Sequence, residues 1–272
     1  MDSKRILYVS QEIHPYLPEN EISKPSLELP KKMNEKGHQV RVFMPRYGLI
    51  NERRHQLHEV IRLSGINIIV NDMDQPLIIK VASVPQARMQ VYFIDNEEFF
   101  KRKATFYDEN GTFFPDNDQR AIFFCRGVIE TVKKLGWSPD IIHCHGWMAS
   151  FMPMYLKKFH YDDPLFAESK LVMSVYNSKP HTMDASLLDN LKFDGINGQD
   201  IKKYENADLN QLYAAGASFS DAAVIGAENV DQDLKDLVAE NVDTVVDFSE
   251  GDDYVSRVHD LYENLIGEES VA

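Results

Sequence analysis

Ile6-Leu7-Tyr8-Val9-Ser10, the helix-like stretch Lys24 to Glu35, and Val40-Arg41-Val42-Phe43-Met44 decide the fold. The first run is apolar without interruption, as expected for a parallel strand buried on both faces. A polar loop follows it. Lys24 to Glu35 then reads as a helix in which Pro25 and Pro30 sit early, because a mid-helix proline removes a backbone bond. Gly37 stops this helix, and Val40 to Met44 is the second strand. A strand, a helix and a parallel strand in this order form one right-handed unit.

Working outward, the unit repeats. Asp118 reads as an N-cap, followed by Ile122, Cys125, Ile129, Val132 and Leu135 at helical spacing, with Gly136 closing the helix. Ile141-Ile142-His143-Cys144-His145 is a strand ending in polar groups, and Trp147 to Phe159 is a helix. Leu171 to Val175 is another buried strand. Leu209 to Phe219, Ala222 to Ile225 and Val230 to Val238 read as helix, strand and helix. Tyr254, Val255, Val258, Leu261, Tyr262, Leu265 and Ile266 mark a last amphipathic helix. Between the second strand and the long helix lies a region of different character. Ile66 to Val70, Leu77 to Val81 and Val91 to Ile94 are short β-branched runs separated by Asn71-Asp72 and Ser83-Val84-Pro85-Gln86. They predict a small β insert over about residues 60–95 that returns to the main sheet. The expected fold is therefore α/β, a single Rossmann-like domain with a mostly parallel sheet and helices on both faces. Its sites should lie beyond the carboxyl ends of the strands, in the loops Gln11 to Ser23, His145 to Trp147 and Tyr176 to His181.

Charge narrows the function. The 272 residues include 29 Lys and Arg against 43 Asp and Glu, a net charge of −14. Such a chain is repelled by nucleic-acid backbones and anionic membranes, so neither is an expected partner. Two cysteines make no disulfide framework, and the run Ile6 to Val9 is too short for a signal peptide, so a cytoplasmic location is expected. Asn110-Gly111-Thr112 reads as a turn.

The loops at the strand ends carry a resemblance. Ser10-Gln11-Glu12-Ile13-His14-Pro15-Tyr16, Leu29-Pro30-Lys31, Gly37-His38-Gln39-Val40-Arg41-Val42 and Pro45-Arg46-Tyr47-Gly48 follow one another as in the glycogen and bacterial starch synthase family. Pro139-Asp140-Ile141-Ile142-His143-Cys144-His145-Gly146-Trp147 is similar to that family's Pro-Asp-Val-Val-His-Ala-His-Asp-Trp. Pro153-Met154-Tyr155-Leu156-Lys157 and Ser174-Val175-Tyr176-Asn177 resemble Pro-Leu-Tyr-Leu-Lys and Thr-Val-His-Asn. The resemblance implies the N-terminal, acceptor-side half of an enzyme that transfers glucose from a nucleotide sugar to an α-glucan. It fades after about Ile225. The family continues there into a second Rossmann domain and ends with a helix crossing back onto the first. Residues 253–266 are the expected counterpart of that helix, within one domain spanning 1–272.

The departures concern chemistry. The family's Lys-Thr-Gly-Gly falls on Pro18-Glu19-Asn20-Glu21, which replaces a cationic, glycine-lined phosphate cradle by two carboxylates. Its following Asp falls on Lys24, the Asp of His-Asp-Trp on Gly146, the His of Thr-Val-His-Asn on Tyr176, and a helix lysine on Tyr213. Candidate ligand-binding residues of the remnant cleft are Glu12, His14, His143, His145, Trp147, Tyr176 and Asn177. No catalytic residue and no cofactor is assigned. His143 and His145 face the same way along a strand, but no third metal ligand stands at a recognisable spacing, and histidines bonded to nearby backbone are favoured. Asp184, Asp189 and Asp194 offer acid–base partners for Glu12, with solvated surface the favoured reading. The aromatic run Phe99, Phe100, Phe106, Tyr107, Phe113, Phe114 is either a sugar platform or the underside of a long loop.

Two functions follow. One is a degenerate, non-catalytic pseudoenzyme binding a glycan, a metabolite, a protein partner or a second copy of itself over the remnant cleft. The other is a short glucosyltransferase using ADP-glucose or UDP-glucose, with a partner chain completing it. The acidic loop favours the first, because transfer requires a neutralised pyrophosphate leaving group.

Overall fold

The computed structural model describes residues 3–84, 87 and 89–267, so Pro85 and Gln86 of the expected turn lie outside the described residues. Strand β1 (Arg5–Ser10), helix α1 (Pro25–Glu35) and strand β2 (Gln39–Pro45) form the first unit. A single turn α2 (Glu52–His55) leads to β3 (His58–Glu59), β4 (Ile66–Val70), β5 (Met73–Val84) and β6 (Met89–Asp95). Helices α3 (Glu97–Phe100) and α4 (Asn117–Leu135) return the chain to β7 (Ile141–His145). A 3₁₀ turn, Trp147–Ala149, opens onto α5 (Phe151–Phe159), then β8 (Lys170–Val175), α6 (Ser186–Phe193) and α7 (Gly198–Lys202). The chain ends its described part with α8 (Leu209–Ser218), β9 (Ala222–Ile225), α9 (Gln232–Ala239), β10 (Val245–Val246) and α10 (Gly251–Gly267).

The strands line up as β10-β9-β8-β7-β1-β2-β6-β5-β3, with β4 paired to β5. Every pair from β10 to β6 is parallel, and β5 runs antiparallel to β6, β3 and β4. This is the α/β, Rossmann-like architecture read from the sequence, with the β insert forming one edge. Ile6, Leu7, Tyr8 and Val9 are all buried because helices cover both faces of the sheet. No helix among the described residues is long and apolar enough to cross a membrane.

The chain first builds outward from β1 to β2 and β6, then crosses back to place β7 on the other side of β1. The strand order therefore reverses between β1 and β7, and a crevice opens beyond their carboxyl ends.

Three local expectations need correction. Pro30 lies mid-helix in α1, not early, and removes the bond that the Ser26 carbonyl would accept from position 30. Trp147 to Phe159 is not one helix, since the 3₁₀ turn precedes α5. Asp118 is not an N-cap: α4 starts at Asn117, and the Asp118 carboxylate turns inward to accept from Ser186 Oγ (3.0 Å) and Asn190 Nδ2 (2.9 Å). Burial raises its pKa.

The aromatic run between α3 and α4 is mostly core: Phe99, Phe100, Phe106 and Phe113 are buried. What holds this long segment down is Arg120, fully buried in α4. Its Nε donates to the Phe99 carbonyl (2.8 Å), and Nη1 donates to the Thr105 carbonyl (2.7 Å) and Asn117 Oδ1 (2.5 Å). Arg120→Met leaves these acceptors without donors in a dry place. We expect a loss of roughly 3 kcal/mol, a drop of about 6–12 °C in Tm by calorimetry. An unchanged Tm would mean that the segment is held by its rings alone.

Candidate functional site

The seam between β1 and β7 is closed by Gln11. Its backbone N–H donates to the His145 carbonyl (3.1 Å), its Oε1 accepts from the Met148 N–H (3.2 Å), and its Nε2 donates to Glu12 (3.3 Å). Position 146 must be glycine for this arrangement. Its φ is +89°, and a Cβ there would stand 2.3 Å from the Gln11 side chain. The sequence reading singled out Glu12 and passed over Gln11. The available signal was Gly146 itself, a small residue that leaves room for a neighbour.

The β1–α1 loop is organised by Asn20. Asn20 Oδ1 accepts from the N–H groups of Ile22 (2.9 Å) and Ser23 (2.7 Å), its own N–H donates to Ser23 Oγ (2.9 Å), and its Nδ2 donates to the Glu12 carboxylate. Ser23 Oγ in turn donates to the Pro18 carbonyl (2.8 Å). The amide donors that a helix entrance offers an anion are thus bound within the loop. Glu19 and Glu21 remain exposed, and Lys24 pairs with Glu19 at 3.3 Å.

These loops line an open cleft of about 460 Å³. Glu12, Trp147 and Asn177 of the expected residues line it, together with Gln11, Asn20, Tyr107 and Lys179. The Lys179 ammonium sits 5.1 Å from the centre of the half-exposed Tyr107 ring. Asn177 is partly committed: it accepts from the Asp231 N–H (2.9 Å) and donates to the Asn229 carbonyl. His14 is half-buried and stands outside this lining. Asp194 is held elsewhere, by Arg126 (2.8 Å) and Tyr155, in a second pocket against β4.

His143, His145 and Tyr176 do not line the cleft. All three are fully buried beneath it. The two imidazoles stack 4.1 Å apart. Their partners are side-chain hydroxyls rather than backbone, because the backbone of β7 is already used by the ladders to β1 and β8. His143 Nδ1 meets Tyr262 Oη of α10 (2.5 Å) and its Nε2 meets Ser174 Oγ (2.7 Å), while Tyr262 donates onward to Tyr8 (3.2 Å). His145 Nδ1 meets Tyr176 Oη (2.8 Å). Tyr176 needs a glycine opposite, since a Cβ on Gly226 would come 2.2 Å from its ring. Tyr213 is likewise buried.

Burial lowers His145 to about 3 and His143 well below the usual range, the latter helped by its charged-state repulsion with His145. Both are neutral in the folded chain at neutral pH. In the unfolded chain they titrate near pH 6.5, so below that pH the unfolded state binds more protons. Stability should therefore be complete above about pH 6.5 and fall as pH drops toward the folded values, by about 1.4 kcal/mol per pH unit for each histidine. Thermal melts between about pH 7.5 and about pH 5.5 should show it, and His145→Gln should flatten the slope. Identical slopes in the two chains would contradict the assignment.

Comparison with known proteins agrees with this geometry. A family profile described as the starch synthase catalytic domain matches residues 5–243. The glycogen synthase of Chlorobium limicola is 40% identical over 174 residues, 64% of this chain and 36% of that protein. The glycogen synthase of Chlorobium luteolum is 36% identical over 211 residues, 77% of this chain and 43% of that protein. That of Chlorobaculum parvum is 34% identical over 223 residues, 80% and 44%. The chain thus spans less than half the length of these relatives. In fold it is similar to the catalytic domain of starch synthase IV from Arabidopsis thaliana, solved with ADP and acarbose, at a TM-score of 0.70 and 17% identity over 90% of this chain and 51% of that one. With the profile covering most of its residues, the chain belongs to the glycogen and starch synthase family.

Proposed function

We propose that this chain binds an α-glucan through the cleft at the β1 and β7 strand ends and does not itself transfer glucose: a pseudoenzyme of its family. The observation that carries the reading is the Asn20-centred loop. Its amide N–H groups at Ile22 and Ser23 are bound to the Asn20 side chain, and Glu12, Glu19 and Glu21 surround it. A transferred glucosyl group leaves a nucleoside diphosphate behind, and that charge needs donors and cations held in place beforehand. Here the Ile22 and Ser23 donors are occupied, and Glu12 and Glu21 outnumber Lys179 among the charges lining the cleft.

A neutral polyol meets neither objection. The cleft offers what sugar hydroxyls and ring faces use: carboxylate acceptors at Glu12, the second amide N–H of Gln11 and of Asn20, and an aromatic face at Tyr107. A family whose named relatives are glycogen synthases makes an α-glucan the ligand class of choice.

Calorimetric titration with maltoheptaose, ADP-glucose and UDP-glucose tests this reading. The glucan should bind and neither sugar nucleotide should. Tyr107→Ala should weaken glucan binding about fivefold while leaving the fold intact, since the ring is half-exposed. Donor binding accompanied by transfer to maltooligosaccharide, from this chain alone or with a partner chain, would establish the transferase alternative instead.

A further inference from the structure

At the amino-terminal end of β2, opposite the strand ends that carry the cleft, three side chains from two distant parts of the chain converge. His38 ends the turn between α1 and β2, and His259 and Glu263 stand one helical turn apart on α10, on the same face. Both histidines are nearly buried, at 5% and 6% exposure. Their Nε2 atoms are 3.2 Å apart. One ligand atom from each of the three residues lies within 4.8 Å of the others. Independently, Glu263 Oε1 is buried with no hydrogen-bond partner among the described residues. A buried carboxylate oxygen without a donor is costly, and it points to a group that the cluster is built to receive.

We propose that His38, His259 and Glu263 form a divalent-metal site of zinc type that ties α10 to the entrance of β2. Two imidazole nitrogens and a carboxylate oxygen suit a borderline ion such as Zn²⁺, with water as a fourth ligand. Zinc–nitrogen bonds of about 2.0–2.1 Å in a tetrahedron place ligand atoms roughly 3.3 Å apart, close to the Nε2 separation here. Cys125 and Cys144 are buried elsewhere in the core and supply no thiolate. Behind His259, the exposed Asp260 Oδ1 stands 3.9 Å from Nδ1, beyond hydrogen-bond reach. His38 reaches the site at some cost. The Lys4 N–H donates to its Nδ1 at 3.2 Å, which leaves the proton on Nε2, directed at His259. A metal on Nε2 shifts that proton to Nδ1 and releases the long Lys4 contact. The Lys4 contact and the His38–His259 hydrogen bond are exchanged for two metal–nitrogen bonds.

The test uses the full chain, stripped with chelator and titrated with zinc chloride by calorimetry, and with cobalt chloride by visible absorption. One equivalent of Zn²⁺ should bind and raise Tm. Cobalt should give tetrahedral ligand-field bands without thiolate charge transfer. Glu263→Ala should weaken zinc binding by more than about 100-fold, beyond what the loss of an outer partner costs, and His259→Asn should abolish it. Absence of saturable zinc binding in the wild-type chain, or binding unchanged in Glu263→Ala, overturns the proposal. Glu263→Ala decides the matter even where His259→Asn fails to fold, because the Glu263 carboxylate oxygen holds nothing in the metal-free fold.

Discussion

Two parallel strands, β1 and β7, end side by side at the point where the strand order reverses, and the chain leaves them in different directions. Their last backbone groups face a crevice, and something must satisfy them. Gln11 does so from both ends, donating through its backbone to His145 and accepting through its side chain from Met148. That one side chain forms the floor of the cleft, sets the start of the 3₁₀ turn carrying Trp147, and orients Glu12. It fits only because position 146 has no Cβ. The same logic recurs one strand further out, where the Tyr176 ring occupies the space that Gly226 leaves. Departures from the family motif at 146 and 176 are therefore packed against matching space. The fold is kept while the residues at its mouth differ.

That change has a consistent sign. Glu12 and Glu21 line the cleft, and Glu19, Glu28, Glu228 and Glu250 line the adjoining crevice between the β1–α1 loop and the start of α10. Lys24 is held by Glu19. Local potential and the overall charge of −14 agree, so a polyanion meets repulsion both at a distance and on contact. A neutral ligand meets neither.

The parts of the fold legible in the sequence are those with a local cause. β1, β7 and β8 are covered on both faces, and burial on both faces writes an apolar run that no helix period disturbs. Gly136 at the end of α4 takes a φ of +57°, which the chain announces by placing glycine there. The illegible parts depend on distant partners. Asp118 looks the same in sequence whether it caps a helix or receives Asn190 from 72 positions away. His143 finds its hydroxyl partner 119 positions later, in Tyr262. β3 has both residues exposed and carries no apolar signature. The polar segment after Asn177 carries little helix pattern, although Leu187 and Leu191, buried four apart before Gly195, hold the signal for α6.

Helix α10 illustrates how polar burial specifies position. Its Val255, Val258, Leu261 and Leu265 are buried, and a purely apolar stripe of this kind could slide along the sheet at little cost. Tyr262 removes that freedom. Its hydroxyl lies between His143 and Tyr8, and a shift by one turn would leave the imidazole nitrogen and the phenol unpaired in a dry interior. Each such group costs about 1–3 kcal/mol when orphaned. The layer of Tyr8, His143, Ser174 and Tyr262 therefore contributes little net stability over an apolar equivalent, but it separates the correct register from its neighbours by several such penalties. In this chain, where α10 must meet the sheet at one register to bring His259 to His38, hydroxyl pairing rather than greasy contact decides where the helix stops.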